Sequence, residues 1–277
     1  MPSIINLRLP HSLNAGTPRG ETIIVCALIR NGAPWLRYLA RALDDIGPLF
    51  AATPLVLVED GSDDASACLA AKLVDTHGGC LVKLGPDSER NRLSRTTRLG
   101  ILRRRALAES LASKGDWILF IDTDIHFSRH TLQALLSSAE RHQRQGLFTA
   151  YTLGTRVLAR LPGALVVKSR GPRENHYFDT FALELDHVAS RFPKCPFKGC
   201  RKCGNELIDP AAMTEIPVRA AFGGMALIDR GVLAASGANW PQALPEDECE
   251  HKRFCKELAA AGVPTFVVSA ALAYCNR

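Results

Sequence analysis

The strongest constraint on the fold is an alternation, over the first 150 residues, of short apolar runs with amphipathic segments. Thr22–Leu28 (TIIVCAL), Pro54–Glu59 (PLVLVE), Cys80–Leu84 (CLVKL) and Asp116–Asp122 (DWILFID) are rich in β-branched residues and bounded by polar or turn residues. Such runs read as buried parallel strands. The segments between and after them, Trp35–Ile46, Ser66–Thr76, Arg95–Ser113 and Ser128–Gln145, carry helical patterns. Strand–helix–strand spacing of this kind requires right-handed crossovers, hence an α/β fold whose sheet is covered on both faces. With 277 residues, 47% of them hydrophobic, the chain can bury a core without metal or disulfide staples.

The second half is more mixed. Leu147–Tyr151, Ala164–Lys168, Pro217–Ile228 and Pro264–Ala270 read as strands, and Thr180–Ser190 and Cys249–Ala261 as helices. No repeat or low-complexity tract divides the chain. The expected organisation is an extension over 1–20, a ligand-binding half over 21–150, and a second half of the same domain over 151–277. The Pro-, Gly- and Lys-rich stretch Pro193–Pro210 reads as an ordered insertion or a mobile loop. Within it, Cys195, Cys200 and Cys203 have Cys-x4-Cys-x2-Cys spacing, which reads first as free or disulfide-bonded loop thiols, with three ligands of a structural Zn²⁺ (Cys249, His251 or Cys255 a distant fourth) as the alternative.

Net charge is +6 and the pI about 8.9, basic enough for an anionic partner but too mild to specify one. No run approaches the ~20 apolar residues of a membrane helix. The stretch Met1–Gly20 lacks the apolar block of a signal peptide, so the expected location is cytoplasmic.

In open α/β sheets, functional residues gather at the carboxyl ends of strands. Here those ends carry Arg30-Asn31, Glu59-Asp60-Gly61-Ser62-Asp63-Asp64 and Asp122-Thr123-Asp124. Two carboxylates one residue apart, where a buried strand emerges, can hold a hard divalent cation. The alternative has Asp124 capping the next helix and Asp122 merely exposed. Seven arginines fall between Arg90 and Arg105 with no acid among them. Leu99, Leu102 and Ala106 form an apolar stripe, which sets Arg95 and Arg98 near the helix start, where backbone amides also favour an anion. Arg103–Arg105 are expected to include a solvated face. Without interleaved aromatics this basic helix is weak support for nucleic acid, and none is expected as a partner.

Gly223-Gly224 interrupts an apolar run and would let backbone approach a ligand, or mark a β-bulge. In EDECEHKRFC, Glu248 and His251 are three apart at an expected helix start and can face one ligand. His251 can ligate a metal through a neutral nitrogen or be a surface histidine. Asp247, Glu248 and Glu250 can equally be dipole-favoured acids of a first turn.

Taken in order, EDGSDD after a strand, R-x-x-R-L-x-x-x-R-x-x-A-L (Arg95 to Leu107) and DWILFIDTD resemble the donor-binding half of a GT-A glycosyltransferase. The resemblance is to the fungal capsule-type α-1,3-mannosyltransferases and, more loosely, to the fungal Golgi α-mannosyltransferases. HYFDTFALELD, PVRAAFGGMALIDR and EDECEHKRFC resemble later segments of that family. Arg104 departs from it, standing where asparagine is expected. The resemblance implies a GT-A, Rossmann-like, mostly parallel sheet with a mixed acceptor-side half. It implies transfer of a sugar, mannose in that family and with retention, from a GDP- or UDP-linked donor to a glycan hydroxyl. Arg30, Glu59, Arg98 and Asp122 would bind the donor, and Asp122, Asp124 and His251 would hold Mn²⁺ or Mg²⁺. Glu248 or Asp247 would be catalytic, with Asp179, Gly223 and Gly224 at the acceptor. A sugar-phosphate nucleotidyltransferase, disfavoured because CALIRNGAPW is not a phosphate loop, and a non-catalytic polyanion-binding protein are the competing readings.

Overall fold

The computed structural model describes residues 4–8, 19–85, 88–154, 156–161, 164–168, 177, 179, 181–185, 215–245 and 248–275. The strands are β1 (Ile4–Arg8), β2 (Ile23–Ile29), β3 (Leu55–Asp60), β4 (Gly79–Leu84), β5 (Trp117–Asp122), β6 (Ile125–His126), β7 (Leu147–Gly154), β8 (Arg156–Leu161), β9 (Ala164–Lys168), β10 (Glu215–Val218), β11 (Met225–Asp229) and β12 (Thr265–Cys275). The helices are α1 (Ala33–Ile46), α2 (Ser66–His77), α3 (Ser88–Arg92), α4 (Arg95–Ala112), α5 (Arg129–Arg141), α6 (Arg230–Ser236) and α7 (Glu250–Ala260).

The four apolar runs of the first half become parallel neighbours, β5-β2-β3-β4. The sheet continues on the other side as β10-β12-β7-β11, with β11 antiparallel to both β5 and β7, and β6 pairing with β12. This nine-stranded sheet draws strands from both sides of residue 150. A separate antiparallel sheet runs β1-β9-β8.

Alternation along β2 sorts the core into two layers, because successive strand side chains face opposite sides. Ile23, Val25 and Ala27 pack beneath Leu36 and Leu43 of α1, Ala70 of α2 and Leu132 and Leu136 of α5. Ile24 and Cys26 pack with Leu102 and Ala106 of α4, Leu233 of α6 and Phe254 and Leu258 of α7. Local signals fix the helix starts. Proline opens α1; the Ser94 Oγ accepts from Thr97 N at 3.2 Å at the head of α4; and Asp229 accepts from Val232 N at 3.0 Å to cap α6.

Several expectations need correction. Pro217–Ile228 is not one strand: the chain leaves β10, turns through Gly223 (φ 61°) and Gly224 (φ 70°), and enters β11. The run expected as Ser128–Gln145 stops at Arg141, with Gln143 and Arg144 in left-handed conformation. Residues 181–185 form a turn and an isolated Glu184–Ala220 bridge rather than the start of a helix; 186–190 lie outside the described residues. Cys195, Cys200 and Cys203 also lie outside them. No described helix is long and apolar enough to cross a membrane.

Candidate active site

The carboxyl ends of β2, β3 and β5 open into a cleft of about 470 Å³. Its walls are completed by the first half of α4, the start of α7, the Asp179–Phe181 region and Gly224. The cleft is electrostatically two-sided. On the β3 side Asp60, with its side chain 2% exposed, is ringed by arginines: Arg90 Nε at 2.8 Å, Arg30 Nη1 at 3.4 Å and Arg98 Nε at 3.9 Å. Arg30 Nη1 also donates to Asn91 Oδ1 at 2.7 Å. Arg30, Arg95 and Arg98 all line the cleft, so this side carries a surplus of positive charge.

The β5 side is acidic. Asp122 and Asp124 line the cleft together with Asp179 and Glu250. Burial, reinforced by the Asp122 charge, pushes the Asp179 carboxyl up to about 6. Asp179 accepts hydrogen bonds from Gly223 N at 3.2 Å and Ala182 N at 3.3 Å. Burial also raises Glu250, against the pull of Arg103. The imidazole of His251 is held well below its ordinary value by burial and by the Arg103 and Arg95 charges, and so is neutral. Its ring lies flat on Phe222, centroids 3.8 Å apart, with Nε2 3.4 Å from Glu250 Oε1. Burial, with Glu250 beside it, pushes the Cys249 thiol up to about 12, which keeps it protonated.

The cleft therefore gathers Arg30, Arg98, Asp122, Asp124, Asp179, Gly224 and His251 from the sequence expectation. Glu59 is not on its wall. Glu59 and Asp60 point to opposite faces of β3; Asp60 takes the cleft face and Glu59, buried, accepts from Ser62 N at 2.6 Å. Glu248 is likewise off the wall, since α7 starts at Glu250 and Glu248 N instead donates to Pro245 O at 3.0 Å. Asp247 lies outside the described residues. Gly223 stands behind the wall, where a Cβ would meet Ala150 O at 2.4 Å. Asp60, Arg103 and Glu250 are the charged cleft residues given no task in the site from sequence. Arg103 is not part of a solvated face: its side chain is 6% exposed. The signal was present, because Arg103 is four residues after Leu99 and three before Ala106, on the buried stripe.

Among the described residues no group of three or more His, Cys, Asp and Glu side chains converges as a metal site, so His251 does not join Asp122 and Asp124 in one ligand set. A cation of the Mg²⁺ or Mn²⁺ type nevertheless fits the acidic side. Such ions commonly use one or two carboxylates and complete their shell with phosphate oxygens and water. Burial is the main cause of the raised Asp179, but the Asp122 and Glu250 charges add to it and mark an excess of negative charge there.

A family model described as glycosyl transferase family 2 matches residues 22–183, which include Arg30, Asp60, Arg98, Asp122, Asp124 and Asp179 of the cleft but not Gly224, Glu250 or His251. The chain belongs to glycosyl transferase family 2. No curated protein matches the chain significantly. Among solved structures, this family 2 chain resembles TarS of S. aureus at 14% identity and TM-score 0.53, over 93% of this chain and 37% of that one. It resembles GalNAc-T7, solved with UDP, GalNAc and Mn²⁺, at 13% identity and TM-score 0.56, over 93% and 44%. It also resembles the mannosyltransferase PcManGT of Pyrobaculum calidifontis, solved with GDP-Man and Mn²⁺, at 14% identity and TM-score 0.50, over 93% and 57%. These likenesses establish the GT-A fold. The chain spans from about a third to three-fifths of the length of the structures it matches.

Proposed function

We propose that the protein is a metal-dependent glycosyltransferase that moves a sugar from a nucleotide diphosphate donor to a hydroxyl of a glycan acceptor. The observation that carries this is the two-sided cleft: arginines after β2 and at the head of α4 face a paired carboxylate at the end of β5, in a family 2 chain. Arg30, Arg95 and Arg98 bind the anionic donor, with Asp60 holding Arg30 and Arg98 in place. Asp122 and Asp124 hold Mn²⁺ or Mg²⁺, which supplies Lewis-acid stabilisation of the departing diphosphate. The Mn²⁺ complexes of GalNAc-T7 and PcManGT support that choice of cation.

Glu250 takes over the role expected of Glu248 or Asp247. It is the acid of the EDECEHKRFC segment that lines the cleft, and its raised proton affinity suits a group that accepts the acceptor hydroxyl's proton. Asp179, anchored on Gly223 N, and Gly224 border the acceptor side. Mannose as the transferred sugar is supported by the capsule-type resemblance and by the likeness to PcManGT; retention rests on that resemblance alone. The inward turn of the arginine helix disfavours a diffuse polyanion surface, since Arg90, Arg95, Arg98 and Arg103 engage Asp60 or the cleft. The test is calorimetric titration with GDP-Man, UDP-GlcNAc and the nucleoside triphosphates GTP and UTP, each with and without Mn²⁺. Mn²⁺-dependent binding of one of them is expected; metal-independent binding of nucleoside triphosphate with no nucleotide-sugar binding would falsify the reading.

A further inference from the structure

Arg103 is one of the most deeply buried charges of the protein, and it sits between the two ends of the acidic side. Its Nη2 donates to Asp122 Oδ1 at 2.8 Å, its Nε lies 3.6 Å from Glu250 Oε1, and its guanidinium stands 4.7 Å from the Phe222 ring centroid. Phe222 in turn supports the imidazole of His251. A buried guanidinium is expected to have its donors satisfied, yet Arg103 Nε has no hydrogen-bond partner. The planar fork, which a lysine lacks, can serve two carboxylates on different elements at once.

We infer that Arg103 is a positioning residue that fixes Asp122 for one-oxygen metal binding and ties it to Glu250 at the head of α7. With Oδ1 engaged by Arg103, Oδ2 is the oxygen of Asp122 left for a cation; it faces Gly224, where a Cβ would stand 3.6 Å from it. The guanidinium also keeps two carboxylates of the same sign from moving apart, because it is the buried cation between them. Donor side and acceptor side are thereby joined through one side chain of α4. This inference rests on the glycosyltransferase reading and adds to it a residue that need touch neither donor nor acceptor.

The experiment compares wild type, Arg103→Lys, Arg103→Ala and the control Arg105→Lys, whose position is exposed and paired with Glu109. Circular dichroism checks folding, and electron paramagnetic resonance measures Mn²⁺ binding in the presence of GDP or UDP, independently of turnover. Arg103→Lys should weaken Mn²⁺ and lower kcat by about 10- to 100-fold each, the usual effect of losing a partner behind a metal ligand. Arg105→Lys should match wild type. Added guanidinium should restore part of both quantities in Arg103→Ala, which a merely structural defect would not allow. Wild-type Mn²⁺ affinity and kcat in Arg103→Lys overturn the inference and leave the glycosyltransferase reading intact. So does a loss of kcat in folded Arg103→Ala with unchanged Mn²⁺ affinity and no rescue. Absence of nucleotide-dependent Mn²⁺ binding in the wild type overturns both.

Discussion

Gly224 offers a prediction whose size follows from the structure. It has φ +70°, and a Cβ built there lies 2.5 Å from both Cδ1 and Cγ1 of Ile125, which is itself 4% exposed in the core. Its carbonyl accepts the Asp122 amide at 2.8 Å, so displacement of Gly224 moves the metal-side carboxylate. Gly237, with φ +65° at the end of α6 and nothing within 4 Å of its Cβ position, isolates the backbone contribution. Gly237→Ala should cost about 1 kcal/mol, the left-handed penalty of an L-residue. Gly224→Ala adds overpacking against Ile125 of about 1–3 kcal/mol, for roughly 2–4 kcal/mol in all. At about 2.1 cal/mol/K of unfolding entropy per residue, a chain of this length loses about 2 °C of Tm per kcal/mol. Scanning fluorimetry should therefore show a fall of about 2 °C for Gly237→Ala and about 4–8 °C for Gly224→Ala. Mn²⁺-dependent donor binding should be weakened only in the latter. Equal Tm shifts in the two variants, or intact donor binding in Gly224→Ala, would refute the proposed contact with Ile125 and its link to Asp122.

Other expectations are more direct. Asp124→Ala should abolish turnover and Mn²⁺-dependent donor binding while leaving the fold within about 1 kcal/mol of wild type, and EDTA should silence the wild type in the same assay; full activity in EDTA sinks the metal role. Arg98→Ala should weaken donor binding about tenfold or more, as expected for loss of a charge-assisted contact, whereas Arg104→Ala, whose Nη1 reaches Trp240 O at 3.3 Å, should change it little. Calorimetry with both variants decides this, and equal losses would restore the diffuse-charge reading. Glu250→Gln should retain donor affinity and lose kcat, the pattern of a group used in the transition state, while Glu248→Gln should behave as wild type in steady-state kinetics.

The fold was legible where burial is two-sided. β2 is apolar throughout, and β3 and β5 up to their acidic carboxyl ends, because helices cover both faces, so their sequence pattern needs no partner to be recognised. β6 is only two residues long, and β12 runs eleven residues through a register shift between Val268 and Leu272. Such features depend on tertiary pairing and leave little local pattern. The Gly223-Gly224 turn was visible as a weakness in an apolar run. Its consequence, a reversal that lets β11 run antiparallel beside β5, comes from pairing across the sheet rather than from the run itself.

The site was legible to within the direction of its side chains, and direction is where it was misread. The acidic end of β3 was found, but adjacent residues of a strand face apart, and it is Asp60 rather than Glu59 that lies on the cleft wall. The same holds at α7. Placing the helix start one residue early, at Cys249, favoured Glu248 as the partner of His251 by i,i+3 spacing. With the first helical residue at Glu250, the acid brought to the cleft is the one directly before His251. Arg103 shows the complementary difficulty. Its position on the buried stripe is plain from Leu99 and Ala106, but burying a guanidinium is unfavourable unless carboxylates receive it. Those carboxylates, Asp122 and Glu250, lie 19 and 147 residues along the chain and meet it only when α4, β5 and α7 are assembled. A buried charge in a helix of arginines therefore becomes readable only together with its partners, here two acids of the cleft wall.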